Sequence, residues 1–410
     1  MDTTAAPIPH LNLDLIQTLA IAGIVYLTGM MLKKKINIFE RLNMPSAVLG
    51  GLLFAAFNLV LHDRFFNVEL NTSMQSLCMV FFFTSIGTNA SFALLKKGGI
   101  PVILFLAISS AFCIIQNLTG IGVATLFEVP KLFGIMAGSV TLVGGPATGL
   151  AFSPLFEEMG LKGAETIAIT SATFGIVFGG LLGGPAGTFL IQKFHLKKEK
   201  KNEEGTITKL VEPDEILSIN ITHERSVFTI SLINTIIIMG LGGIVSFFIE
   251  KSGITLPAYI GAMIVGAAFR NINNGKTQWI KIDQPSIDFA GGIALNIFLT
   301  VALMDLKLWE LFHLAIPLSA ILATQVIVAI LFALTITFLT MGKNYESAVM
   351  SSGFIGFMLG TVANAIVVMK TIVAKYGDAP RAFLVVPLVG GFFIDYVNAL
   401  VITVFANLMK

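Results

Sequence analysis

The chain has 410 residues, of which 55% are hydrophobic and only 12% are charged. A soluble protein of this length could not bury so much apolar surface, so the composition excludes that class and indicates a polytopic membrane protein. The formal net charge of +2 is too small for a nucleic-acid-binding surface. Cys78 and Cys113 both lie in apolar runs, where we expect neither a disulfide nor a metal site.

Ten apolar runs are long enough to cross a bilayer as helices, and they predict an all-α fold. These runs cover residues 12–32, 46–62, 74–95, 101–127 and 164–192, then 226–249, 255–269, 285–306, 314–341 and 382–409. Two further apolar stretches, 131–158 and 345–374, are interrupted by Gly, Ser, Thr and Asn. We predict that these two stretches are re-entrant hairpins, which leaves five full spans in each half.

The distribution of basic residues predicts the orientation. With this layout, 20 of the 26 Lys and Arg residues fall on the side of the polar segment 195–225. Because basic residues are enriched in cytoplasmic loops, we expect this linker in the cytoplasm and both termini outside.

The two halves, 1–194 and 226–410, resemble one another and predict an internal repeat. NMPSAVLG (43–50) echoes TLPAYIG (255–261), and GSVTLVGGPATG (138–149) falls opposite GFIGFMLGTVAN (353–364). An odd number of spans per repeat requires that the two repeats lie inverted in the membrane. Secondary transporters have this architecture, with the site near mid-membrane at the repeat interface.

The broken hairpin tips are the predicted substrate site. In hydrocarbon an unpaired backbone group costs several kcal/mol, so irregular backbone persists only inside protein or beside water. The N-terminus of a hairpin's second arm suits a carboxylate, and the carbonyls that end the first arm suit Na⁺. The predicted substrate-binding residues of the two tips are Ser139, Thr141, Gly144, Gly145, Thr148, Gly149, Gly360 and Asn364. The alternative is that these small residues only permit close helix packing.

Asp395 is the most unusual single residue, because it lies deep inside an apolar run, in VPLVGGFFIDYVNALVITVF. A carboxylate at mid-membrane is costly and usually functional, so we expect it to bind Na⁺, a substrate ammonium or a proton. Asn398 lies on the same helical face and is a candidate substrate ligand. Thr88 and Asn89 are candidate sodium ligands with Asp395.

Gln116 and Asn117 form a further polar pair within an apolar run. They predict either a part of the site or hydrogen bonds between helices.

An ion gradient is the expected energy source. The sequence has no GxxxxGK[ST] motif, and the linker is too short to fold around ATP. One Na⁺ carried with one monoanion moves no net charge, whereas a second Na⁺ adds about 2.3 kcal/mol per 100 mV. We therefore expect cotransport of an anion with at least two cations.

Several long motifs resemble the bacterial sodium/glutamate symporter family. They are MAGSVTLVGGPATGLAFSPLFEEMG, TFGIVFGGLLGGPAG, MDLKLWELFHLAIP, MGKNYESAV and AFLVVPLVGGFFIDYVNALVI. The resemblance runs from about residue 12 to 406 and implies a Na⁺-coupled glutamate transporter of the inner membrane. It also implies a homodimer that moves by an elevator-like step. The residues that keep the family's types are Ser139, Thr141, Gly144, Gly145, Thr148, Gly149, Asn89, Gln116, Asn117, Asp395 and Asn398.

Two departures from the family's pattern fall where substrate is expected to bind. The first tip usually reads Gly-Gly-His-Gly-Thr-Gly, whereas this chain has GGPATG (144–149). The second hairpin usually has a His after its first Gly and a Thr-Pro-Thr run, whereas this chain has Phe354 and TVAN (361–364). We therefore predict Na⁺-coupled symport of glutamate or a related small carboxylate or amino acid.

The alternative function is a cation/proton antiporter that uses Asp395. Such a protein is expected to pair two acids, or an acid and a base, at the helix crossing, and this chain offers one carboxylate there. A membrane sensor would need an output domain, for which the linker is too short. Neither leading hypothesis is an enzyme.

Overall fold

The protein is described by a computed structural model that covers residues 10–42, 44–61, 67–196, 225–254, 256–273, 282–308 and 314–409. Almost all of the predicted linker, 195–225, lies outside these residues. The described chain is predominantly helical. Two three-residue strands, β1 (His10–Asn12) and β2 (Asn67–Glu69), pair in parallel beside the first helices.

Helices α1 to α8 occupy the first half of the chain, and a short π-helical segment follows α6. The bounds are α1 Leu15–Lys35, α2 Asn37–Arg41, α3 Ser46–Leu61, α4 Ser73–Asn89, α5 Phe92–Leu126, α6 Lys131–Ile135, the π segment Met136–Val140, α7 Gly145–Glu158 and α8 Ala164–Lys193.

Helices α9 to α17 occupy the second half, with a second π segment after α12. The bounds are α9 Arg225–Lys251, α10 Ala258–Ile272, α11 Gln284–Met304, α12 Ala315–Phe332, the π segment Ala333–Thr337, α13 Phe338–Thr340, α14 Tyr345–Met358, α15 Val362–Tyr376, α16 Pro380–Phe392 and α17 Ile394–Leu408.

Local sequence explains why the first span begins where it does. The Asp14 side chain accepts a hydrogen bond from the Gln17 N–H at 2.8 Å, and the Gln17 side chain accepts one from the Asp14 N–H at 3.0 Å. This reciprocal cap satisfies two backbone donors that the helix itself leaves unpaired. The charged residue at the edge of an apolar run is therefore a helix cap.

Each of the ten predicted runs overlaps helical structure, although the last run, 382–409, falls on two helices, α16 and α17, which are bent by 43° at the break between them. By length and composition, six of the described helices can cross a membrane, or seven if the bent pair α16–α17 is one span. Shorter apolar helices include α3 with 16 residues and α10 with 15 residues.

The third predicted run, 74–95, is shorter in the structure. Helix α4 ends at Asn89, α5 begins at Phe92, and α5 is kinked at Gly99, where φ is 67°. The residue at the kink is a glycine, which adopts a positive φ without strain, and Pro101 follows two residues later.

The helices pack in two groups, which we call group one and group two. Group one contains α1, α3 and α4 from the first half with α9, α10 and α11 from the second. Group two contains α5 to α8 from the first half with α12 to α17 from the second.

The two groups meet along α7 and α8. Helix α11 of group one packs on α7. An apolar cluster also joins Leu150 and Ile169 of group two to Val48 and Leu303 of group one. The contact between the groups is thus mostly hydrophobic, and it lies beside the first helix break.

Candidate functional site

The first predicted hairpin, 131–158, is broken where the sequence analysis expects it. The π segment ends at Val140, and α7 begins at Gly145, where φ is +65°. A backbone conformation of this kind favours glycine, because a Cβ atom would be strained there. Thr141 contacts Gly149 across the bend, so the chain turns sharply. The arm before the bend packs on α5, and α7 packs on α8.

The second predicted hairpin, 345–374, is also broken. Gly353 of α14 lies against Met369 of α15, and Gly356 lies against Ala365. The contacting positions come closer together in the sequence as they approach the break. The two helices therefore run antiparallel and are joined by a turn at Leu359 and Gly360. The Thr361 side chain accepts from the Asn364 N–H at 3.3 Å and caps α15.

The two breaks meet at Gly175 in the middle of α8. A methyl group on this residue would lie 2.0 Å from the Leu359 carbonyl oxygen of the second break and 2.8 Å from Leu142 of the first. Only a residue without a side chain permits both approaches. Gly175 was not a predicted site residue, because nothing in the sequence distinguishes it from the other glycines of α8.

Neighbouring amide residues of α5 bond to the two breaks. Asn117 Oδ1 accepts from the Ser139 N–H at 3.0 Å, and Gln116 Nε2 donates to the Met358 carbonyl at 2.9 Å. Gln325 of α12 donates in turn to the Gln116 carbonyl at 2.7 Å. These bonds join helices, as the second interpretation of the Gln116–Asn117 pair predicts, and a part of the pair in substrate binding stays a prediction.

Two predicted substrate ligands complete the polar network. Asn398 Nδ2 donates to the Ser139 carbonyl at 2.8 Å, and Asn364 Nδ2 donates to the Ile176 carbonyl at 2.7 Å. The sequence analysis expected the backbone groups freed at the breaks to hold a solute. In this structure several of them pair with side-chain amides instead, because a buried unpaired backbone group is costly.

The atoms left for a solute are therefore mostly side-chain atoms. Within the described part of the chain, three atoms around Ser139 are buried without a hydrogen-bond partner: Ser139 Oγ, Asn117 Nδ2 and Asn398 Oδ1. Near the second break, Gln116 Oε1 and Asn364 Oδ1 are likewise buried without a hydrogen-bond partner. Buried polar atoms are normally paired, so these atoms are candidate solute ligands.

The other predicted residues of the first tip have structural contacts. Thr141 Oγ1 donates to the Met136 carbonyl at 2.7 Å and bridges the π segment. Gly144 lies against Thr148, and Gly149 lies against Thr141. These residues shape the bend, and Thr141 and Thr148 are almost fully buried beside it.

Asp395 lies at the start of α17, three residues before Asn398. Helix α17 packs on α5, so Asp395 belongs to group two. Over the described ranges, no cluster of three or more His, Cys, Asp or Glu residues could hold a metal ion. A Na⁺ site here would use neutral oxygens with one carboxylate.

Thr88 and Asn89 are not brought together with Asp395 by any described hydrogen bond. Asn89 Nδ2 donates to Asp288 Oδ1 at 2.7 Å, and Thr88 Oγ1 accepts from Gln284 at 3.1 Å. Both partners belong to α11, so this polar node joins two helices of group one.

Apolar helices of spanning length surround a buried polar site at two helix breaks, and this arrangement defines a membrane transport protein. The chain belongs to the sodium/glutamate symporter family, which matches residues 11–378. The members of this family are transporters, and Na⁺ is their co-transported ion.

Curated relatives match over almost their whole length. A sodium/glutamate symporter of Haemophilus influenzae is 38% identical over 398 residues, covering 95% of this chain and 96% of the relative. One of Escherichia coli is 38% identical over 401 residues, covering 97% and 98%.

A solved sodium proton antiporter of Methanocaldococcus jannaschii aligns with a TM-score of 0.42 and 15% identity, covering 97% of this chain and 98% of the antiporter. A similarity this low does not establish a shared fold or function.

Proposed function

We propose that this chain transports glutamate, or a related small carboxylate or amino acid, together with Na⁺ by alternating access. The observation that carries the proposal is the set of unpaired buried atoms on Asn117, Ser139 and Asn398. An amide donor and two oxygen acceptors side by side suit a solute that has both a carboxylate and an ammonium group. The family and its curated sodium/glutamate symporters support the same substrate class.

Sodium binds at Asp395 in this proposal. The carboxylate lies one helical turn from Asn398, whose free oxygen faces the same polar site. A Na⁺ ion there would compensate a charge that is expensive to bury alone. Thr88 and Asn89 remain candidates for a further sodium site within group one.

The grouping of helices supports two inverted repeats, residues 1–194 and 226–410, joined by the linker 195–225. In group one, α3 of the first half packs on α11 of the second, and α10 of the second packs on α4 of the first. This exchange of partners is what an inverted repeat produces. Group two carries both helix breaks, so we propose that it moves past group one in an elevator-like step.

The changed tip residues bear on the choice of substrate. Pro146 replaces the family's usual His in the first tip, and Asn364 ends the second tip. The Asn364 amide still has a free oxygen, which favours a substrate that offers a hydrogen-bond donor. We propose that aspartate and other dicarboxylates compete with glutamate at this site.

The family and the charge distribution support a proposed location. We propose a multi-pass protein of the bacterial inner membrane with both termini outside, which acts as a homodimer. Labelling of single cysteines at the two ends of the chain by an impermeant reagent tests the orientation.

Uptake into proteoliposomes tests the function. Labelled glutamate should accumulate with an inward Na⁺ gradient and should not accumulate with an equal K⁺ gradient. Unlabelled aspartate and other dicarboxylates, added singly, establish the substrate range. A chain that moves none of these compounds with Na⁺ would refute the proposal.

The same vesicles distinguish the rival function. A cation/proton antiporter would change the lumenal pH when Na⁺ is added without any organic solute. A pH-sensitive dye reports this change. We expect no change in pH beyond that of empty vesicles.

A further inference from the structure

Two glutamine side chains of group two meet beside the second break. Gln116 lies within α5 and Gln325 within α12, and both are fully buried. Gln325 Nε2 donates to the Gln116 carbonyl at 2.7 Å, and Gln116 Nε2 donates to the Met358 carbonyl at 2.9 Å. Met358 is the last residue of α14. The two amides therefore connect α12 through α5 to the C-terminal end of α14.

These hydrogen bonds determine which atom of each amide is left over. A glutamine side chain has one NH₂ donor and one oxygen acceptor, and both NH₂ groups donate to backbone carbonyls. Within the described part of the chain, neither Gln116 Oε1 nor Gln325 Oε1 has a hydrogen-bond partner, although both atoms are buried. A buried acceptor without a partner is destabilising, so two such oxygens beside one helix break indicate a ligand.

The chemistry of these two oxygens suits a cation. Neutral carbonyl and amide oxygens are ligands of hard cations, and helix C-terminal ends coordinate Na⁺ in secondary transporters. The C-terminal end of α14 adds the negative end of its dipole at Met358. A carboxylate would need donors, and both glutamines have already used theirs. Free donor groups lie instead beside the first break, on Asn117 Nδ2 and Ser139 Oγ.

We propose that Gln116 Oε1 and Gln325 Oε1 bind a second transported Na⁺ at the C-terminal end of α14. Helices α5, α12 and α14 all belong to group two, so this ion travels with the group that carries the substrate site. The Thr88–Asn89 node belongs to group one, and an ion bound there would stay behind in an elevator-like step. The assignment deepens the proposed function and rests on it, because it requires Na⁺-coupled uptake.

The variant Gln325→Met tests the proposal, because it removes the oxygen and keeps the length of the side chain. The Gln116 carbonyl lies inside α5, where the helix itself supplies a donor, so it does not become unpaired. The Na⁺ concentration for half-maximal glutamate uptake should rise by on the order of tenfold, an effect that even indirect partners of a bound metal have on its affinity. The dependence of uptake on Na⁺ should also become less sigmoidal. At saturating Na⁺ the half-saturation for glutamate should stay at the wild-type value.

Gln192→Met is the matched control. Gln192 lies on α8 of group two, and its amide donates to Tyr376 Oη at 3.4 Å. We expect wild-type Na⁺ dependence from this variant. If Gln325→Met accumulates poorly, Gln325→Asn keeps an amide, draws its oxygen back by one methylene, and should raise the half-saturation for Na⁺ in the same way. Without substrate, Na⁺ should raise the unfolding temperature of either Gln325 variant in detergent less than that of Gln192→Met.

The outcomes separate the two proposals. A wild type without Na⁺-dependent uptake of any carboxylate overturns the proposed function, and the second ion site falls with it. A wild type that transports, with Gln325→Met equal to Gln192→Met in its dependence on Na⁺, overturns the second ion site alone. A raised half-saturation for glutamate with an unchanged dependence on Na⁺ also overturns it, because the Gln325 oxygen would then bind the substrate's ammonium group. A merely structural glutamine would change the unfolding temperature and leave the response to Na⁺ as it is.

Discussion

Gly175→Ala tests whether the contact between the two helix breaks is needed for transport. The added methyl group would lie 2.0 Å from the Leu359 carbonyl oxygen and 2.8 Å from Leu142 Cδ2. The first of these atoms is backbone and cannot rotate away. The second break must therefore shift by roughly 1 Å to restore a normal contact distance of about 3.5 Å, shared with α8.

The expected free energy cost of Gly175→Ala can be bounded. Overpacking of a dense interior costs about 1–3 kcal/mol. Replacement of glycine by alanine inside a helix stabilises the helix by about 0.5–1 kcal/mol. The difference, a net cost of about 1 kcal/mol against the contact between the two breaks, corresponds to roughly a five- to tenfold loss of apparent substrate affinity.

Gly184→Ala is the control on the same helix. Its added methyl group would lie 3.6 Å from Thr371 Oγ1, which is an ordinary contact. Purified variants are compared by thermal unfolding in detergent and by Na⁺-driven uptake at a series of glutamate concentrations. Gly175→Ala should unfold at a lower temperature and transport with a higher half-saturation, whereas Gly184→Ala should match or exceed the wild-type stability.

One result would refute this reasoning. If Gly175→Ala transports within twofold of Gly184→Ala at all glutamate concentrations, the contact between the breaks has no role in substrate binding.

Three further predictions concern buried polar groups. Asp395→Asn should abolish Na⁺-dependent accumulation with near-normal expression, and uptake that keeps its Na⁺ dependence would contradict the assigned role. Asn398→Ala leaves the Ser139 carbonyl unpaired, so thermal unfolding should show a loss of about 1–3 kcal/mol in stability together with weaker substrate binding. Burial raises the pKa of Asp305 above its ordinary value of 3.8, although Lys307 opposes the shift. The folded protein therefore favours the protonated acid, and this stabilisation is lost as pH rises through the raised pKa. Asp305→Asn should flatten the decline in unfolding temperature above pH 4, and an unchanged pH profile would contradict it.

The spans and the two breaks could be predicted from the sequence because both have strong local signals. Long apolar runs require helices in a bilayer, and clustered Gly, Ser and Thr mark the places where a helix stops. The end of α4 was predicted six residues late. Polar residues between Asn89 and Ser91 indicate that end, but the apolar side chains that follow continue the run in a hydropathy pattern.

The pairing within the site could not be predicted in the same way. Gln116 and Met358 are 242 residues apart, and Asn398 and Ser139 are 259 residues apart. No local rule joins such positions, so the sequence indicates the polar residues without their partners. Gly175 and Gln325 were missed for a related reason. Each is a single small or polar residue in an apolar helix, and its role depends on contacts with other helices that the sequence does not reveal.

The chemistry of the network bears on the prediction that more than one Na⁺ is carried with the substrate. Side-chain amides from Gln116, Asn117 and Asn398 satisfy the broken backbone and carry no net charge. The charge of the site is then set by Asp395 and by what binds beside it. In the proposed function, one Na⁺ would neutralise the carboxylate, and an amino-acid dicarboxylate would add another negative charge that is costly to bury alone. A second Na⁺ would restore neutrality inside the site. Because Asp395 returns with the empty carrier, each cycle would transfer a net positive charge, which the membrane potential drives inward.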